Sequence, residues 1–111
     1  MSWPNDADGD VFRGLAADGF DFGKAHAVDY NVDFENWPPD RKALDVLRRQ
    51  YDSIDVYEPD GDYRGYVQFK LWGLVTYEGV TSIQRRTTVA MQPYGGVCES
   101  WGVLQEPGAS A

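Results

Sequence analysis

Residues 26–34 read HAVDYNVDF, and this stretch decides the architecture. Successive side chains of an extended strand point to opposite faces. Val28, Tyr30, Val32 and Phe34 therefore share one side, and Asp29, Asn31 and Asp33 share the other. Aromatic and β-branched residues alternating with polar ones mark a half-buried strand with one face on a core. Such a strand suits an antiparallel sheet whose other face stays partly wet.

Upstream, Asp6, Asp8 and Asp10 precede Val11, Phe12, Leu15 and Ala16. Acids at the start of a 3.6-period apolar pattern favour a helix, because the helix dipole is positive there. The pattern predicts a helix over 6–18, with Gly19 as its stop. Downstream, Asn36-Trp37-Pro38-Pro39-Asp40 is a loop that leads into a helix over 39–50, whose apolar face is Ala43, Leu44, Val46, Leu47 and Tyr51. Ile54 and Val56 mark a short strand, and Glu58-Pro59-Asp60-Gly61-Asp62 has hairpin-turn chemistry. A strand over 65–76 places Val67, Phe69, Leu71 and Val75 on one face, and Tyr66, Gln68, Lys70, Trp72 and Leu74 on the other. A third helix is predicted over 78–92, through Val80, Ile83, Thr87 and Met91. The last strand, 97–104, contains Val97, Trp101, Val103 and Leu104.

After the first helix, the order is strand-helix-strand-strand-helix-strand. That order predicts an α+β, ferredoxin-like βαββαβ sandwich, with two helices on one face of a four-stranded antiparallel sheet and an extra N-terminal helix. Leu44, Leu47, Phe69, Leu71 and Ile83 are its expected core. The length of 111 residues fits one domain, 6–104, between a loose start at 1–5 and a flexible tail at 105–111.

Composition narrows the function. Cys98 is the one cysteine and His26 the one histidine, so no disulfide, cysteine-pair zinc site or two-histidine metal motif can form within the chain. No apolar run reaches the ~18 residues of a membrane span, and no signal-peptide pattern opens the chain, so a cytoplasmic protein is expected. The net charge is −8. Residues 1–62 carry fifteen acids against six bases, while 63–111 carry three acids against four bases. The acidic half repels nucleic acid, whose phosphates need Lys and Arg, and attracts a basic protein segment.

Individual motifs give little chemistry. Asp6-Ala7-Asp8-Gly9-Asp10 resembles the opening of a calcium loop, but Val11 and Ala17 stand where that loop needs glycine and glutamate. Helix capping accounts better for these aspartates. Arg64-Gly65-Tyr66-Val67-Gln68-Phe69 resembles an RNA-recognition strand, except that Gln68 replaces a stacking aromatic and Asp29, Asn31 and Asp33 would share its face. His26 reads as a strand-end histidine in a routine hydrogen bond, and Cys98 as a buried thiol without an orienting base. Asp60 and Asp62 sit in a turn, where acids are ordinary. No metal or cofactor is expected, and no catalytic constellation supports an enzyme. Trp37, beside Asp33, Glu35 and Asp40, has the makings of a dock for an Arg-rich segment, because guanidinium stacks on indole and pairs with carboxylate. The competing reading packs Trp37 as a core lid under Pro38-Pro39.

Several landmarks then align with a family. They are the leading helix ending in Asp18-Gly19 with Asp21 just after it, the strand Lys24 to Phe34 (KAHAVDYNVDF), the helix followed by IDVYEP, and the closing Tyr94-Gly95-Gly96-Val97-Cys98-Glu99-Ser100-Trp101-Gly102. The stretch from Asp8 to Leu104 resembles the B-type regulators of ribonuclease E activity, the ribonuclease E inhibitor family. Glu99-Ser100 stand where that family's closing strand has Asp-Gly. The resemblance implies a non-catalytic protein that binds the non-catalytic scaffold region of the endoribonuclease and modulates RNA decay. The expected partner surface is Asp29, Asp33, Glu35, Trp37 and Asp40, with Asp55 and Asp60 adding charge. The alternative is a small-ligand or RNA module using the exposed sheet face, with Tyr57, Tyr66, Gln68 and Trp72.

Overall fold

The computed structural model describes residues 3–103. In chain order they form α1 (Ala7–Ala17), β1 (Ala25–Phe34), α2 (Arg41–Gln50), β2 (Ile54–Tyr57), β3 (Tyr66–Leu74), α3 (Tyr77–Met91), a 3-10 turn (Gln92–Tyr94) and β4 (Gly96–Val103). The four strands make one sheet in the order β2-β3-β1-β4, and every neighbouring pair is antiparallel. This is the expected ferredoxin-like α+β arrangement. The expected end of the last strand at Leu104, and the expected tail, lie outside the described residues.

Caps account for where the helices start. Asp40 is the N-cap of α2 and accepts from the Lys42 N–H at 2.8 Å, so the helix begins at Arg41 rather than at 39. Thr76 caps α3 by accepting from Gly79 N–H at 3.0 Å, which takes it out of the predicted strand over 65–76. Asp6 caps α1 by accepting from Gly9 N–H at 2.7 Å.

The inner face of β1 is Val28, Tyr30, Val32 and Phe34, all buried. Val67 and Phe69 of β3 continue this face, and Ala43, Leu47, Val80, Thr87 and Met91 cover it from α2 and α3. Of the expected core, Leu47 and Phe69 are buried, while Leu44, Leu71 and Ile83 pack half-buried at its margin. Tyr51 closes α2 with its ring stacked on Phe69, centroids 3.7 Å apart, and its hydroxyl bonds to the buried Thr87 hydroxyl at 2.5 Å. That bond satisfies a polar group that α3 presents to the core.

Two features lie beyond the alternation rule. In β4, Asn31 faces Ser100 while Val32 faces Cys98, so Glu99 is the extra residue of a β-bulge. The bulge lets Cys98 and Trp101, three apart, both point inward. The second feature is how α1 docks. Asp8 Oδ1 accepts from Trp101 Nε1–H at 2.9 Å and from Gln84 Nε2–H at 3.2 Å, tying α1 to β4 and α3. Phe12 packs against Trp101 with centroids 5.2 Å apart. Trp3, placed by the sequence in a loose start, stacks on Phe12 at 5.5 Å, and the Trp3 and Pro4 carbonyls accept from Arg13.

Candidate protein-interaction surface

The outer face of the sheet carries the side chains that the inner face excludes. Its middle rung is polar: Asp55 lies opposite Gln68, Gln68 Nε2 donates to Asn31 Oδ1 at 2.9 Å, and Asn31 Nδ2 donates to Ser100 Oγ at 3.1 Å. On the next rung Lys70 lies opposite Asp29, Nζ to Oδ1 3.9 Å. Toward one end, Tyr57 stacks on Tyr66 with centroids 4.8 Å apart. Toward the other, Trp72 and Leu74 stand over Ala27 and Ala25. Trp72 is 75% exposed and Leu74 61%.

The seven residues expected to meet a partner divide into groups. Asp29 and Asp33, both on β1, and Asp55, on β2, reach the outer face as the period-two reading requires. Glu35 follows Asp33 at the end of β1, where its N–H donates to the Gly95 carbonyl at 3.0 Å. Asp33, Glu35 and Glu99 line a cleft of about 270 Å³ together with Arg64, whose guanidinium donates to the Phe34 carbonyl at 3.1 Å. Trp37 is half-buried against the core, and its Nε1–H donates to Glu58 Oε2 at 2.9 Å. A Cβ on Gly65 would come within 2.8 Å of the indole ring, so only glycine leaves Trp37 its seat. Asp40 is spent on capping α2, and Asp60 sits in the β2–β3 connection, where its backbone pairs both ways with Tyr63. Gly61 there has φ +59, the left-handed conformation an Asp-Gly step supplies. The structure therefore collects Asp29, Asp33, Asp55 and Glu35 along one surface and leaves Trp37, Asp40 and Asp60 engaged at its margin.

Of the alternative set, Tyr57, Tyr66 and Gln68 are neighbours, and Trp72 is further along the strand. Glu58, Arg64 and Glu99 belong to the surface and escaped the sequence reading. Glu58 is brought to Trp37 by a hairpin, and Glu99 is turned outward by the bulge. An aromatic groove of about 920 Å³ between α1, the 20–22 segment and the start of α3 was also not foreseen; Trp3, Phe12, Phe20, Phe22 and Tyr77 line it.

Cys98 and His26 lie in ordinary surroundings. Burial, followed by the carboxylates of Asp33, Asp8 and Glu99, pushes the Cys98 thiol up to about 12. A protonated thiol is not a nucleophile. His26 Nε2 bonds to the Asp21 carbonyl at 2.9 Å, the routine bond expected of it. No cluster of three or more metal-ligating side chains occurs among the described residues, and none of their helices is long and apolar enough to cross a membrane.

No curated protein matches the chain. The family profile described as "Regulator of ribonuclease activity B" matches residues 5–103, from just before the cap of α1 to the last residue of β4. The span includes the leading helix, the KAHAVDYNVDF strand and the closing Trp101-Gly102, which the Asp8–Trp101 bond joins. The chain belongs to the regulator of ribonuclease activity B family.

Proposed function

We propose that this protein regulates RNA decay in the cytoplasm without catalysis, by binding ribonuclease E in its non-catalytic scaffold region. The observation that carries this reading is the family match over 5–103. The charge pattern supports the chemistry of the partner. Fifteen of the eighteen acids lie in residues 1–62, and Asp29, Asp33 and Asp55 project from the sheet beside Glu35. A basic, extended scaffold segment is drawn to such a surface, and opposite charge raises the rate of encounter. Of these carboxylates, Asp33 and Asp55 lie next to Tyr66 and Tyr57 and oppose a phosphate backbone there.

Titration calorimetry of the full chain with the scaffold region of the same organism's ribonuclease E tests the reading. Binding is expected at low salt, weakening by about tenfold or more as ionic strength approaches 0.3 M, because exposed charges are screened beyond a Debye length of about 6–10 Å. The combined Asp29→Asn, Asp33→Asn and Asp55→Asn variant is expected to bind more slowly and more weakly. Absence of binding at low salt overturns the partner, and salt-independent binding overturns the acidic surface.

A further inference from the structure

The edge of β3 is only half used. β2 pairs with residues from Tyr66 to Phe69 and stops there, at Ile54 opposite Phe69. β3 continues to Leu74, and β1 pairs with it along that whole stretch. Beyond Phe69 no residue of β2 pairs with β3, and because alternate residues of an antiparallel strand bond to opposite neighbours, Leu71 and Gly73 turn to β1 while Trp72 and Leu74 turn their N–H and C=O to the side that β2 has left. Every backbone N–H and C=O needs a partner, whether protein or water. An open strand edge therefore presents a template for another strand, and folds usually guard such edges with charge, proline, bulges or a covering element.

Here the guard is one residue, Lys70, and its ammonium lies 3.9 Å from Asp29. The rest of the edge reads Leu71-Trp72-Gly73-Leu74. A second, independent observation falls on the same residues: Trp72 and Leu74 are the two most exposed large apolar side chains of the sheet. They lie on its outer face, where a strand added beside β3 would set its own alternate side chains. Tryptophan left in water is the type of residue that supplies binding energy once an interface covers it.

The charge around this edge selects the occupant. An added strand would run end to end with β2, which carries the exposed Asp55 and is preceded by the exposed Asp52. A second copy of this chain is disfavoured, because two molecules of charge −8 repel and a five-residue edge is far short of the roughly 800 Å² per partner that stable dimers bury. We propose that the open edge of β3, Lys70–Leu74, is a strand-acceptor site, where an extended, positively charged segment of a protein partner adds as a fifth strand and packs an apolar side chain on Trp72 and Leu74. Backbone pairing supplies affinity in this mode, and the side-chain contacts supply selectivity. The inference rests on the reading that the partner is a protein, and it names how the partner is held.

The test is amide-resolved NMR of the full chain with three probes: an eight-residue peptide alternating Lys and Val, the same peptide N-methylated at alternate residues, and the ribonuclease E scaffold region. The first probe is expected to slow amide exchange at Trp72 and Leu74 by about tenfold or more and to shift the Trp72 indole signal, and the N-methylated probe to do neither. Trp72→Ser is expected to weaken the first probe by about tenfold with the thermal midpoint unchanged, since the side chain is solvent-exposed. Equal effects of the two peptides would mean charge alone, and effects elsewhere or none would mean no acceptor edge; either overturns the proposal. If the first peptide pairs and the scaffold region does not bind, the edge stands and the ribonuclease E reading fails. If the scaffold region binds and leaves Trp72 and Leu74 unprotected, the partner is held elsewhere and the proposal falls.

Discussion

Replacing Asp8 by alanine removes one carboxylate and strands two donors. Trp101 is 8% exposed and Gln84 6%, so neither the indole N–H nor the amide N–H regains water without movement of α1. A buried donor left without its acceptor costs about 1–3 kcal/mol, so the two together cost about 2–6 kcal/mol. Asp8 lies in the first turn of α1, and some relaxation toward solvent brings the expected loss to about 2–4 kcal/mol. At about 4–8 °C per kcal/mol for a domain near this size, the melting midpoint falls by about 8–32 °C. Asp8→Asn keeps an acceptor oxygen and is expected to cost about 1 kcal/mol, separating hydrogen bonding from the favourable charge at a helix start. Asp10→Ala in the same turn breaks only an exposed pair with Arg13 and serves as the control, with a loss of under about 1 kcal/mol. Urea unfolding followed by tryptophan fluorescence gives all three values. A double-mutant cycle with Trp101→Phe is expected to show a coupling of at least about 1 kcal/mol. Asp8→Ala unfolding within about 0.5 kcal/mol of the native chain, or level with Asp10→Ala, would refute the claim that this bond holds α1 on the sheet.

Leu47→Ala, at a fully buried position, is expected to lose about 2–5 kcal/mol in the same urea assay. Gly65→Ala drives a methyl group into the Trp37 ring, and the Trp37 emission is expected to move toward that of a solvated indole. Native Cys98 is expected to resist iodoacetamide at pH 8 and to react at once in urea, as mass spectrometry would show. The folded chain holds the Cys98 proton more tightly than the unfolded chain, so stability is complete below pH 9 and falls as pH rises from 9 toward 12. Burial raises the Tyr30 phenol as well, adding to the alkaline loss. At the acid end, the Tyr77 hydroxyl, then the Gly9 N–H, hold the Asp6 carboxyl below its ordinary value. Its contribution is present above that ordinary value and is lost as pH falls through the lowered one, so α1 amides should exchange faster in acid than those of β1.

The central sheet was legible because its information is local. Val28-Asp29-Tyr30-Asn31-Val32-Asp33-Phe34 alternates without interruption, and Asp60-Gly61 marks the hairpin by its chemistry. The docking of α1 was not legible, since Asp8 and Trp101 are 93 residues apart and no spacing rule joins them. The bulge at Glu99 was hidden for another reason. Strict alternation puts Val97 and Trp101 on one face, whereas the extra residue sends Val97 outward with Asp33 and Trp101 inward with Tyr30. In the candidate surface, the strand positions Asp29, Asp33 and Asp55 followed from parity. Trp37 did not, because sequence neighbours suggested Asp33, Glu35 and Asp40 as its company, while the β2–β3 hairpin delivers Glu58 to its N–H.

The bond between the first helix and the last strand also sets an order of events at the ribosome. Chains emerge N-terminus first, at about 5–20 residues per second. α1 is made first, but its seat is complete only when Trp101 emerges, and β1 likewise waits for neighbours on both sides, β3 and then β4. Until then, Phe12 has Trp3, Phe22 and Tyr77 around it but lacks the Trp101 ring that closes its seat. A transcript cut short before the codon for Trp101 would thus yield a chain with most of its sheet and a first helix held on α3 alone, its indole contact and its bond to the sheet both missing, so the last strand acts as the checkpoint for the docking of α1.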